Sequence, residues 1–165
     1  LQEYQRIFTF LHDADIHQSV TLAPNAIGNY IPMYSDSYLL YAGWAVLHVV
    51  PDDELLERFL VQYVDATEEF IQENVSAVRG WGTGRAAAYS NAYGKTVEPI
   101  DFIGGTEFIR TALEKHRDVQ AHYADYLRKY QVEYIITDAL APDNPRIPGG
   151  ASIQYRDDRL TIYRL

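Results

Sequence analysis

The segment Val132 to Thr137, reading VEYIIT, is the strongest single constraint on the fold. Its β-branched, nearly continuous apolar character is that of a strand covered on both faces, so it belongs in the middle of a sheet with other layers packed against it. Helices must supply those layers. Tyr4, Ile7, Phe8 and Leu11 recur at the i, i+3, i+4, i+7 spacing of one helical face, which predicts an amphipathic opening helix over residues 2–13. Ser19 to Ala23 reads as a strand with Val20 and Leu22 on one side, ended by Pro24, after which Asn25 can cap a helix. Gly28 and Pro32 keep that helix short, and Tyr38 to Ala42 follows as another buried strand.

Pro51, Asp52, Asp53 and Glu54 mark a helix start, continued at helical period by Leu55, Leu56, Phe59, Leu60, Tyr63 and Val64. Thr106 can cap a further helix bearing Phe108, Ile109, Ala112 and Leu113. Val119, Tyr123, Tyr126, Leu127 and Tyr130 form another helical face after a break near Arg117 and Asp118. Between them, residues 74–105 carry Gly80, Gly82, Gly84, Gly94, Gly104 and Gly105, which interrupt every periodic pattern and predict an irregular insertion. At the end, Ser152 to Arg156 and Arg159 to Arg164 alternate around Asp157 and Asp158. A two-residue turn there would pair Tyr155 with Leu160 and Ile153 with Ile162, collecting all four on one apolar face.

The expectation is a single α/β domain over residues 1–165, with helices packed on a mixed sheet, parallel in the centre with a C-terminal antiparallel hairpin. With 47% hydrophobic and 22% charged residues, the composition is that of a chain able to bury an ordinary core. A net charge of -9 with scattered basic residues argues against nucleic acid as a partner. The absence of cysteine removes thiolate metal sites, disulfides and thiol nucleophiles. The longest nearly unbroken apolar stretch, Tyr38 to Val50, is shorter than the ~20 residues that span a bilayer. With Leu1 first, Met33 the sole methionine and no signal peptide, the sequence reads as a trimmed or processed fragment.

Familiar catalytic patterns are present only in part. Asp13, Ala14 and Asp15 spell DxD, but so acidic a chain produces such a match by chance, and a solvated helix end accounts for it. Neither close histidine pair has the i, i+4 spacing of a zinc helix, and His122 with Asp125 reads as a surface pair. The GxGxG of Gly80, Gly82 and Gly84 follows no strand, and the GKT at Gly94 has Tyr89 where a phosphate-binding loop needs its first glycine. No GxSxG elbow occurs. No metal or cofactor is therefore expected, and Asn74, Val75 and Ser76 form a sequon of low specificity.

Open α/β sheets bind ligands outside the carboxyl ends of their parallel strands. Asn25, Trp44 and Asp138 follow the three predicted strands and are the pocket candidates, with helix capping for Asn25 and a turn role for Asp138 as the structural alternatives. Trp81, Tyr89 and Tyr93, in the glycine-rich insertion, offer aromatic faces of the kind that contact sugars.

The succession IPMYSDSYLLYAGW from Ile31, ELLERF from Glu54, YADYLRKYQVEYIITD from Tyr123 and RLTIYRL from Arg159 resembles the extracytoplasmic domains of bacterial and archaeal multi-spanning proteins related to lipid-linked-sugar glycosyltransferases. It touches most of the chain except residues 74–105. The resemblance implies a noncatalytic accessory domain on the outer side of a membrane, partnered by the membrane-embedded remainder of its own chain and by an acceptor, a saccharide or a lipid-linked sugar. The catalytic acids of such proteins lie in loops beside the membrane spans, so no catalytic residue carries over. An independent carbohydrate-active enzyme with converging carboxylates, or a saccharide-binding module, are the alternatives.

Overall fold

A computed structural model describes residues 4–14, 16, 18–42, 51–78 and 105–165. The chain divides into two compact units, one formed by the residues up to Ala42 together with His122–Leu165, the other by Gly43–Ala121.

The first unit contains α1 (Gln5–Asp13), β1 (Val20–Leu22), α2 (Asn25–Gly28), α3 (Ile31–Tyr34), β2 (Tyr38–Leu39), and, after the second unit, α7 (Tyr123–Lys129), β3 (Val132–Asp138), β4 (Ser152–Arg156) and β5 (Leu160–Arg164). Its sheet has the order β2-β1-β3-β5-β4. β1 runs parallel to β2 and β3, while β5 runs antiparallel to β3 and β4. The α/β class, the parallel centre and the antiparallel C-terminal strands are as the sequence implies. VEYIIT forms the middle strand because its side chains are apolar towards both faces. Tyr134 and Ile136 join Leu160 and Ile162 in a core covered by Ile7, Phe8 and Leu11 of α1, Ile27 of α2 and Ile31 of α3. Ile135, fully buried, points from the alternate side of β3, the strand against which α7 packs.

Three local expectations are corrected. The N-cap of α2 is Pro24, whose carbonyl accepts from the N–H groups of Ile27 and Gly28, so Asn25 is already the first helical residue. No break occurs at Arg117 and Asp118. Helix α6 (Gly105–Ala121) runs through them, because Ala112, His116 and Val119 continue one buried stripe while the two charged residues face away from it. The final turn is wider than two residues. Neither Asp157 nor Asp158 has the positive φ that a two-residue hairpin turn demands. Instead the Asp157 carboxylate accepts from the N–H groups of Arg159 and Leu160 at 2.9 and 2.7 Å. The register moves accordingly to Tyr155 opposite Ile162 and Arg156 opposite Thr161. A bulge between Ile153 and Tyr155 then puts Ile153 opposite Tyr163, and Ile153 is 48% exposed instead of joining the apolar face.

The second unit packs α4 (Asp52–Gln62), α5 (Glu68–Val78) and α6 against one another. The expected insertion is therefore helical as far as Val78, and the rest of it lies outside the described residues. Thr67 starts α5, its hydroxyl accepting from the N–H of Phe70 at 3.2 Å. The end of α4 is completed from α6. His116 Nε2 lies 3.2 Å from the Tyr63 carbonyl and Gln120 Nε2 donates to the Val64 carbonyl at 3.0 Å. These two side chains, one helical turn apart, satisfy carbonyls that a helix terminus leaves without intrahelical donors. Asn74 sits inside α5, where its amide donates to the Phe70 carbonyl at 2.8 Å, and Val75 of the same sequon is fully buried.

Candidate functional site

At the carboxyl ends of β1 and β3 the structure brings two of the sequence candidates to the same end of the sheet. Asn25 begins α2 directly after β1, and Asp138 closes β3. The segment 139–151 joins them. Asp143 Oδ2 accepts from the Asn25 backbone N–H at 3.0 Å, and the next residue, Asn144, grips the end of β3 on both sides. Its Oδ1 accepts from the Asp138 N–H at 2.8 Å, and its Nδ2 donates to the carbonyls of Asp138 and Ala141 at 2.7 and 3.0 Å. Tyr123 of α7 anchors the same segment, its hydroxyl donating to the Arg146 carbonyl at 3.0 Å while the Arg146 guanidinium lies 5.5 Å from the Tyr123 ring centre.

The Asp138 side chain, only 1% exposed, lies in strand register with Leu160 on the core side of the sheet. A carboxylate there is costly unless it is paired and hydrogen-bonded. Arg159 meets that requirement: Nε donates to Oδ1 at 2.8 Å and an Nη donates to Oδ2 at 2.7 Å. The Leu140 N–H adds a bond to Oδ1 at 2.9 Å. Arg159 is held in turn by the Tyr4 hydroxyl at 3.1 Å and stands 5.1 Å over the Tyr4 ring centre. The bonds from Arg159 keep the Asp138 carboxyl below its usual range, against the upward pull of burial, with the Leu140 N–H helping. A general base works best with a pKa near the operating pH and a lone pair open to the substrate. Asp138 has been taken in the opposite direction, towards a carboxylate held charged by its structural partners.

Trp44, Trp81, Tyr89 and Tyr93 lie outside the described residues, as do Asp15, His17, His48 and the GxGxG and GKT segments. Among the described histidines, His12 lies in the last turn of α1, His116 is buried in α6 and His122 precedes α7 as its N-cap. The Asp125 carboxylate pairs with Arg128 on the helix surface, not with His122. No group of three or more metal-ligating side chains occurs among the described residues. None of the described helices is long and apolar enough to cross a membrane.

Sequence reasoning did not find Arg159, Asp143, Asn144 or Tyr4. For Asp143 and Asn144 a signal exists: two short polar side chains among prolines, the residue type that binds backbone groups in loops. Arg159 carries no such mark. Compared with known proteins, the chain matches no family model, no curated sequence and no solved structure.

Proposed function

We propose that this chain is a noncatalytic accessory domain of a larger membrane protein related to lipid-linked-sugar glycosyltransferases, placed on the extracytoplasmic side and working with the membrane-embedded remainder of that protein. The observation that carries the reading is the self-occupied strand end. Where open α/β sheets present ligand-binding groups, Asp138 is committed to Arg159 and the first N–H of α2 to Asp143. A first unit stitched in this way serves as a support. The segments that resemble the glycosyltransferase-related domains supply this framework, since they contribute β2, α7, β3 and β5.

The test compares the purified chain with the same chain joined to its flanking sequence in membranes, using a radiolabelled lipid-linked sugar as donor. No transfer by the chain alone, with transfer by the joined protein that is lost when this domain is deleted, supports the accessory reading. Transfer by the purified chain that disappears on replacing one carboxylate overturns it and favours an independent carbohydrate-active enzyme.

A further inference from the structure

We propose that the open edge of β4 takes an acidic, extended segment of a partner protein, which adds to the sheet as a further strand. The inference does not rest on the accessory-domain reading. β4 stands last in the strand order, so only one of its edges is bonded, to β5, while β2 at the other end of the sheet is two residues long. The Asp157 N–H donates to the Leu160 carbonyl at 3.0 Å, so Asp157 faces β5 and the backbone N–H and carbonyl of Arg156 turn to the open side. Two residues earlier, Gln154 is the bulged residue. The register passes from Ile153 opposite Tyr163 to Tyr155 opposite Ile162 and leaves Gln154 unopposed.

The charges around this edge specify the partner. Arg58, Arg110, Arg117, Arg128 and Arg159 each hold a carboxylate. Arg6, Arg156 and Arg164 hold none among the described residues, and all three are exposed. They gather at β4: Arg156 lies on the strand, Arg164 stands opposite Ser152, and Arg6 of α1 acts electrostatically on Tyr155 and Asp157. The nearby anions are Asp157 and Asp158 of the turn. The Asp157 carboxylate is already engaged by the N–H groups of Arg159 and Leu160 and by the Tyr155 hydroxyl. Glu133 lies on β3, two strands away. A chain of net charge -9 therefore keeps uncommitted cations at its longer open edge.

Bulges and charged residues ordinarily keep an edge from pairing with copies of itself. Here the charge also selects. A second copy paired about Gln154 would set Arg156 opposite Ser152 and beside Arg164 of the other, like charge against like. A strand bearing carboxylates instead gains a cross-strand pair at each arginine. Ile153, 48% exposed, adds one apolar contact, so alternating acidic and β-branched residues suit the edge.

The experiment is an NMR titration of the whole ¹⁵N-labelled chain at low salt with an alternating Glu/Val heptapeptide, its Lys/Val counterpart, and the Glu/Val peptide N-methylated throughout. The expected result is saturable shifts of the Ile153, Gln154 and Arg156 amides by the Glu/Val peptide alone, with a Kd in the millimolar range or below that rises with added salt. Arg156→Glu should weaken binding about fivefold without lowering the melting temperature, since one cross-strand pair is replaced by a repulsion at an exposed site, and Arg156→Lys should keep most of it. Absence of shifts with the Glu/Val peptide, or an equal response to the Lys/Val peptide, overturns the proposal. Shifts that survive N-methylation do so as well, because they would report charge attraction without strand pairing. So does binding unchanged by Arg156→Glu, or a concentration-dependent shift of the same amides without peptide, which would assign the edge to a second copy of the chain.

Discussion

Arg159 lies against both carboxylate oxygens of Asp138, at 2.8 and 2.7 Å, and so joins the turn before β5 to the end of β3. Asp138 is buried and Arg159 is three-quarters buried, so solvent screens the pair only weakly. Removing one partner leaves the other charge stranded in the core. Arg159→Met should therefore destabilise the first unit by about 3 kcal/mol in urea unfolding. The double variant Asp138→Asn, Arg159→Met should lose less than Arg159→Met alone. Equal losses would show that the stranded charge is not the source of the effect.

The same pair gives the stability a sign in acid. The Asp138 pKa is depressed in the folded state, so the unfolded chain binds the proton more readily and stability falls as pH falls. The contribution is complete above the unfolded value of about 4 and declines below it, down to the folded pKa. Asp157, held down by the N–H groups of Leu160 and Arg159, acts in the same direction. Chemical unfolding measured between pH 6 and pH 2.5 should show a shallower acid loss for Asp138→Asn than for the unaltered chain (pH limits chosen to bracket the ~4 carboxylate value).

Ile162 is fully buried between β3 and β4, whereas Thr161 is half-buried and Ile153 is largely exposed. Ile162→Asp should cost several kcal/mol, on the order of burying an unpaired polar group and losing a core side chain together. Thr161→Asp should cost less, and Ile153→Thr about 0.5 kcal/mol or less. A large loss from Ile153→Thr in thermal melts would contradict the bulge between Ile153 and Tyr155.

Gln131 follows α7 with φ 53°, and its N–H donates to the Arg128 carbonyl at 3.0 Å in the manner of a left-handed helix stop. A glycine adopts this geometry without the Cβ penalty. Gln131→Gly should raise stability by about 1 kcal/mol, and Gln131→Val should lower it. Thermal melts of the two variants moving in the same direction would contradict the left-handed assignment.

Gln120 closes the end of α4 through the Val64 carbonyl. Gln120→Leu keeps the side-chain bulk but withdraws the donor, and should destabilise the second unit by about 1 kcal/mol. Amide hydrogen exchange should locate the change at the last turn of α4. Uniform acceleration with no excess at that turn would argue against the bond.

The sequence by itself determined the α/β class, the opening helix, the start of α4, the positions of β1, β3, β4 and β5, and which strand is central, but not α3 or α5. The nearly continuous apolar run of VEYIIT and the spacing of Ile7, Phe8 and Leu11 are relations between near neighbours in the chain, and burial of those side chains needs no knowledge of a distant partner. It also placed Asn25 and Asp138 at the carboxyl ends of their strands, where they lie. Only the tertiary structure decided what these residues do there. The donor for Asp138 comes from 21 residues further along, and the acceptor for the Asn25 N–H from 118 residues away. Such partners leave no periodic trace. The hairpin register escaped for a related reason: Asp157 can bind backbone N–H groups through its side chain, and that bond widened a turn which alternation alone would have made two residues long. Local patterning determines which faces are buried, whereas hydrogen-bond satisfaction inside the assembled core determines whether a buried acid is a reactive group or a brace.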